Sequence, residues 1–363
     1  MKPARLFGTV VVAGVGLIGG SIALAARQRF VADRVVGLDP DGEALEVASF
    51  HGVIDAAHTA PGEWLREADL VVLATPSRRI AGLLEEIEPF LRADALVTDV
   101  GSVKAPIARE AMRSTFVPGH PMAGSDRAGV RHADAALLEN AVWVLTPTSR
   151  TDEAATAKVE GFVETLGARP VRLDPEQHDR LVATVSHLPY VTAVALTRLA
   201  TESGEAEWTS LLAAGGFRDL TRVASGSPVM SRDMVVANAG AVADAVDGLI
   251  GELERLKEDL ADADAFGSVA VAAKQARDAI PVVRRSVLGP RPEVVLAVPD
   301  TPGQLMRITA ACGEADVNIK EIEVLSIREA GGAVRLAFED QDTLERAVVA
   351  LSAAGFEARQ RPI

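Results

Sequence analysis

The chain has 363 residues, too many for one ordinary hydrophobic core, so two or three domains are expected. An apolar fraction of 48% with 24% charged residues suits a folded soluble protein, and a net charge of -14 argues against nucleic acid and acidic membranes, which require clustered positive charge. The single cysteine, Cys312, excludes an internal disulfide and suits a reducing cytosol; with no cleavable signal and no apolar run long enough to span a membrane, a cytoplasmic location is expected.

Strand-like apolar runs at Thr9–Ala13, Val35–Leu38, Leu70–Ala74, Leu96–Thr98, Val142–Leu145 and Pro170–Leu173 alternate with helical patterns. That alternation predicts a parallel sheet covered by helices on both faces, over residues 1–175. A fifth, short strand, Phe116–Val117, precedes His120. From 176 to 288 the strand signals stop, and apolar residues recur three or four apart, as in packed helices. The acidic run "EDLADADAF" at 258–266 reads as a solvated helix face. Gly289, Pro290 and Pro292 end the helical segment. Residues 293–363 then read as strand, helix, strand, strand, helix, strand, the βαββαβ order of a ferredoxin-like module.

"TVVVAGVGLIGGSIALAA" sets Gly14, Gly16 and Gly19 in G-x-G-x-x-G spacing between a strand and a helix, with Leu17 and Ile18 completing the loop. The first glycine permits a tight turn, the second lets a pyrophosphate approach the backbone, and the third allows close packing of helix on strand. Asp39 ends the second strand, twenty residues past Gly19, where a carboxylate can bind both ribose hydroxyls. A carboxylate repels a 2′-phosphate, so NAD is expected rather than NADP, in a Rossmann-type domain. Thr75 and Pro76 in "ATPS" and Ser102 in "TDVGSVK" fall at later strand ends, on the ligand-binding edge.

His120 should lie on the same edge. A hydride leaving an alcohol carbon needs a partner that removes the hydroxyl proton, and imidazole titrates near neutral pH. Ser102 and Lys104 are placed to orient that imidazole or the cofactor. The plain alternative is a loop histidine bonded to backbone. No metal ligand set is assigned.

These motifs, with "HPMAGSD" at 120–126, "HDRLVATVSHLPY" at 178–190 and "GGFRDLTRVA" at 215–224, resemble the prephenate and arogenate dehydrogenases of tyrosine biosynthesis over about residues 9–240. The module opening "DTPGQLMRITAACGEADVNI" is similar to an ACT domain, an amino-acid-sensing unit. The resemblance implies NAD-dependent oxidative decarboxylation, with His120 deprotonating the C4 hydroxyl and Ser102 positioning it. It implies Arg222 as a ligand of a substrate carboxylate, and a substrate pocket that includes His187, Tyr190, Ser125 and Asp126. Arg218 shares a helical face with Arg222 and is a second anion ligand or a surface residue. His178 matches a family histidine, with surface capping as its alternative, and His187 has the alternative of a core residue at a helix bend.

Two positions depart from the family's pattern: Tyr190 where histidine is frequent and Ser231 where tryptophan is usual. Both put recognition of the ring or side chain in doubt. Prephenate is the first expectation and arogenate the second, since Asp126 would welcome arogenate's amino group. The helical segment is expected to form a homodimer. Asp300, Gly303 and Asn318 match the ACT ligand pattern, with tyrosine as the expected feedback effector. Two other readings stay open: a non-catalytic NAD and amino-acid sensor, and a β-hydroxyacid dehydrogenase sharing the early sheet.

Overall fold

The opening run Phe7–Ala13 forms β1, and its residues divide between two cores. Val10 and Val12 pack on one side of the sheet, while Val11 and Ala13 pack on the other. Side chains alternate along a strand, so an unbroken apolar run is what a sheet covered on both faces requires. Ala32–Leu38 (β2), Ala56–His58 (β3), Leu70–Leu73 (β4), Leu96–Asp99 (β5) and Phe116–Val117 (β6) complete it. The order is β3-β2-β1-β4-β5-β6, and every pair is parallel. The order reverses between β1 and β4, which opens a ligand crevice at the carboxyl ends of these strands.

The computed structural model describes residues 5–124, 127–202, 204, 206–280, 292–299, 301–328 and 331–361. It divides into two compact units, Met1–Val283 and Arg284–Ile363.

Two strands expected in the parallel sheet lie elsewhere. Gly119–Pro121 (β7), Val142–Leu145 (β8) and Arg169–Arg172 (β9) form a separate three-stranded sheet, with β7 antiparallel to β8 and β8 parallel to β9. The cause is β7, which turns the chain away after β6 and offers β8 a partner outside the main sheet. His120 thus lies within a short edge strand, opposite Val144, rather than in a loop.

Beyond β9 the first unit is helical. Asp174 caps the helix Pro175–Val182 by accepting the Gln177 N–H, and Pro175 occupies its first turn, where a missing N–H does no harm. A π-turn, Ala183–His187, leads into the helix Leu188–Thr201. Pro189 has no N–H to give the preceding turn and crowds its carbonyl, a sufficient reason for the widened turn just before it. Further helices span Gly215–Thr221, Pro228–Ala237, Ala239–Asp259 and Ala263–Ala279. The acidic run at 258–266 is solvated and mostly helical, ending one helix and opening the next across a turn at 260–262, where Asp262 caps the last helix by accepting the N–H groups of Asp264 and Ala265. Among the described residues no single helix is long and apolar enough to cross a membrane.

In the second unit Glu293–Val298 (β10), Glu321–Arg328 (β11), Gly331–Ala337 (β12) and Glu357–Arg361 (β13) form an antiparallel sheet in the order β11-β12-β10-β13. Helices Gln304–Glu314 and Gln341–Ala353 alternate with the strands, and Ile308, Cys312, Leu344 and Leu351 join Val294, Leu296 and Leu336 in its core. Arg335, on β12, gives one nitrogen each to Glu293, Glu321 and Glu323 at 2.7 Å.

Candidate functional site

The glycines after β1 meet the demands of a dinucleotide cradle. Gly14 has φ +98°, which favours glycine, and an added Cβ would stand 2.5 Å from the Ala74 carbonyl oxygen. At Gly19 a Cβ would overlap the Gly14 carbonyl oxygen, so helix Leu17–Gln28 could not sit so close to the strand end. Gly16 faces open space, where a pyrophosphate fits. Leu17 and Ile18 are half-buried at the helix start.

Asp39 lies just past β2, and its two oxygens accept the N–H groups of Val15 (2.8 Å) and Asp41 (2.9 Å). Each keeps a lone pair for a ribose hydroxyl. Past β4, Thr75 holds a buried hydroxyl with no partner, an orphaned donor at the switch point, and Pro76 is exposed beside it. These residues fit a dinucleotide.

His120 is placed by a buried ion pair. Asp99, at the end of β5, accepts the N–H groups of Gly101 (2.8 Å) and Gly119 (3.0 Å) and pairs with Lys104. Lys104 also donates to the Gly119 carbonyl at 2.7 Å. Both side chains are 0% exposed, and burial lowers the Lys104 pKa against the pull of Asp99. Lys104 acts on the imidazole through the backbone, tying Gly119, the residue before His120, to the main sheet. Gly119 has no room for a side chain, because a Cβ would stand 2.5 Å from Trp143 Nε1.

The His120 ring is half-exposed by surface area yet closely surrounded by protein. Burial, reinforced by Lys104, His178 and His187 nearby, holds its pKa well below the ordinary value, so the ring is neutral near pH 7. Its hydrogen-bond partner among the described residues is His178: His120 Nδ1 and His178 Nε2 are 2.9 Å apart. His178 Nδ1 in turn lies 2.7 Å from Asp179 Oδ1. His178 is 1% exposed, which rules out a surface cap. The Ser102 hydroxyl has no bond to His120; it sits 3.3 Å from the Ser77 hydroxyl, which also accepts the Ser102 N–H at 3.0 Å. Ser102 is thus bonded to Ser77, at the start of the helix that follows β4.

His187, also buried, closes the π-turn, and such turns often mark functional sites. Its Nδ1 is 3.2 Å from Asn238 Nδ2, which donates to the Asp179 carbonyl at 2.8 Å. The amide is the donor on both sides, so His187 Nδ1 accepts and Nε2 carries the proton. Burial lowers its pKa to about 4, against the opposing pull of Asp179.

Tyr190 and Ser231 are half-buried, on the helices Leu188–Thr201 and Pro228–Ala237. Arg218 and Arg222 are exposed, with no carboxylate within ion-pair distance among the described residues. The short turn Arg222–Ser225 and the helix Gly215–Thr221 both pack on the helix Leu188–Thr201. No described hydrogen bond or ion pair joins either arginine to His120. Ser125, Asp126 and Asp300 lie outside the described residues. Gly303 has φ +88° at the start of the helix Gln304–Glu314, and Asn318 is exposed beyond that helix.

Sequence reasoning missed two residues. Asp99 and Lys104 are the two ends of the motif D-x-G-S-x-K in "TDVGSVK", but their pairing across it was not read. Asp179 accepts the N–H groups of Lys104 and Ala105 at 2.8 Å, capping the helix Ala105–Glu110 from 75 residues away, a pairing no local pattern encodes. Its one signal was the dipeptide with His178.

Residues 22–172 match the family model of the prephenate dehydrogenase nucleotide-binding domain, and residues 174–270 match that of the prephenate dehydrogenase dimerization domain. The chain is 34% identical to a prephenate dehydrogenase of Bacillus subtilis, across 93% of this chain and 94% of that one. Among solved structures it resembles prephenate dehydrogenase from A. aeolicus in complex with hydroxyphenyl propionate and NAD+, at 30% identity and a TM-score of 0.73, covering 77% of this chain and 100% of that one. It also resembles Synechocystis arogenate dehydrogenase, at 32% identity and a TM-score of 0.67, covering 74% and 99%.

Proposed function

Because this chain belongs to the prephenate dehydrogenase family, we propose that it converts prephenate to 4-hydroxyphenylpyruvate by NAD-dependent oxidative decarboxylation, with His120 as the base. The observation that carries the assignment of the base is a neutral imidazole held beside the dinucleotide edge by the Asp99–Lys104 pair. NAD, when bound, supplies the acceptor for the hydride that leaves C4 of the ring. Gly14, Gly16 and Gly19 would seat its pyrophosphate, Asp39 its ribose and Thr75 and Ser102 its far end.

His120 takes the C4 hydroxyl proton as the carbon is oxidised. The ring carboxylate then departs as carbon dioxide, its bonding electrons complete the aromatic ring, and the phenolate oxygen recovers the proton from His120. The sequence is therefore neutral in protons. Holding a dianion against a net charge of -14 needs local cations. Arg222 is assigned to one carboxylate and Arg218 to a second, supported by their lack of ion-pair partners among the described residues. Tyr190 and His187, on consecutive turns, are assigned to the substrate side. Arogenate is the second reading, favoured by the likeness to the Synechocystis enzyme. Parallel assays of prephenate and arogenate, each with NAD and NADP, test substrate and cofactor together; turnover with neither substrate would refute the proposal.

Two further assignments concern assembly and control. A homodimer through the helices is supported by the family model and by exposed Leu199, Trp208, Leu211, Leu212 and Val236. Light scattering that finds only monomer would overturn it. The second unit is assigned as an ACT domain that binds tyrosine as a feedback inhibitor, supported by its βαββαβ order and the left-handed Gly303. Tyrosine titrated against turnover of the full chain should inhibit, and Gly303→Val should abolish that inhibition. Indifference of the unaltered enzyme to tyrosine would refute it.

A further inference from the structure

Three buried or half-buried side chains form one hydrogen-bonded line: Asp179 Oδ1 to His178 Nδ1 at 2.7 Å, and His178 Nε2 to His120 Nδ1 at 2.9 Å. A carboxylate only accepts, so the proton between Asp179 and His178 sits on His178 Nδ1. In a neutral His178 the other nitrogen, Nε2, is then an acceptor. The proton in the second contact must come from His120 Nδ1, which leaves His120 Nε2 with its lone pair.

We propose that Asp179 and His178 are positioning residues that select this tautomer and so make Nε2 of His120 the atom that takes the substrate's proton. The inference rests on His120 being the base, and adds which nitrogen acts and what selects it.

The surroundings favour a fixed polarity. Asp179 cannot turn away from His178, because both its oxygens are held by backbone N–H groups of Lys104 and Ala105 at 2.8 Å. His178 and Asp179 are 1% and 4% exposed, so water does not compete for their contact. The imidazoles meet edge to face, with ring centroids 5.1 Å apart and planes at 78°. His187 does not intrude, since its Nδ1 is taken by Asn238. When His120 gains a proton on Nε2, its Nδ1–H bond to His178 is unchanged, and the Asp179 carboxylate supports the new charge through His178. No second proton has to move.

Ring-15N histidine spectra at pH 8 test the proposal directly, and with six histidines in the chain each signal can be assigned by single replacement. The unaltered protein should show His120 protonated on Nδ1. In Asp179→Asn the amide NH2 must face either His178 and the Lys104 N–H or the Ala105 N–H; the same spectra report which, and where it faces His178 the line reverses and the His120 proton moves to Nε2. Turnover should then fall by roughly 10²–10⁴-fold with KM for substrate within about threefold, as wrong-tautomer substitutions behave in serine hydrolase triads. His178→Gln places a carbonyl where Nε2 was, still able to accept from His120 Nδ1–H, and should retain turnover within about tenfold.

The order of the two variants separates this role from a purely structural one, which would make both fall together with thermal stability. The pH profile should be read with Lys104, His178, His187 and Asp179 in mind, the charged and titratable groups around the ring. Unaltered protein with His120 protonated on Nε2 would overturn the proposal even if Asp179→Asn fails to fold, as would Asp179→Asn with the His120 proton moved to Nε2 and normal turnover. Near-normal turnover of His120→Asn would instead remove the base assignment itself.

Discussion

Replacing Lys104 by Met tests whether a buried ion pair holds the segment that carries His120. The substitution keeps the apolar stem and removes the ammonium from a site where Lys104 and Asp99 are both 0% exposed. Asp99 keeps its two backbone donors, Gly101 and Gly119, but loses its counter-charge, and the Gly119 carbonyl loses the donor at 2.7 Å. Breaking a buried pair from one side costs about 3–5 kcal/mol. An orphaned buried carbonyl costs about 1–3 kcal/mol. The two overlap, because one nitrogen supplies both, and the remaining donors soften the first, so a loss of about 4 kcal/mol is expected. For the unit Met1–Val283 that lowers Tm by roughly 7 °C. Denaturant unfolding followed by tryptophan fluorescence measures it, and Lys104→Met with Asp99→Asn should recover about half, since no charge is then stranded. A loss under about 1 kcal/mol, the scale of an exposed pair, would refute the reasoning.

His120→Asn should lower turnover by roughly 10²–10⁴-fold with little change in NAD affinity, a split that steady-state kinetics and cofactor titration resolve. Because burial and neighbouring Lys104, His178 and His187 depress the His120 pKa, the acid limb of kcat/KM should lie below pH 6.5; a limb above it contradicts the site described. His187, lowered to about 4 from 6.5, stays neutral in the fold while the unfolded chain takes a proton. Its contribution is therefore complete above about pH 6.5 and fades towards pH 4, by about 3 kcal/mol, and His187→Gln should flatten that dependence in unfolding measured across the range. Gly19→Ala forces helix and strand apart and should weaken NAD binding by about tenfold or more, measured by fluorescence titration.

What could be read in advance was local. The glycine loop, Asp39 and the βαββαβ order are encoded by neighbours in sequence, through turn geometry and the alternation of apolar residues. The placement of Val142–Leu145 was not, because which sheet a strand joins depends on the partner β7 provides. The way Lys104 acts was not legible for a related reason: a lysine beside a ligand edge looks available until its carboxylate, five residues back, is seen sealed with it. His178 matched a family histidine with a helix-start cap as the alternative, and only tertiary contact shows it buried between Asp179 and His120. Arg218 and Arg222 are exposed, and an exposed cation shows its purpose only when an anion arrives.

The central claim is that this chain oxidises and decarboxylates prephenate with NAD, using His120 as base. The direct measurement is a stoichiometric assay of the purified protein with prephenate, following NADH, carbon dioxide and 4-hydroxyphenylpyruvate together. One of each should form per turnover with NAD, and all three should be lost in His120→Asn. NADH formation that survives His120→Asn, or none with prephenate at all, would contradict it.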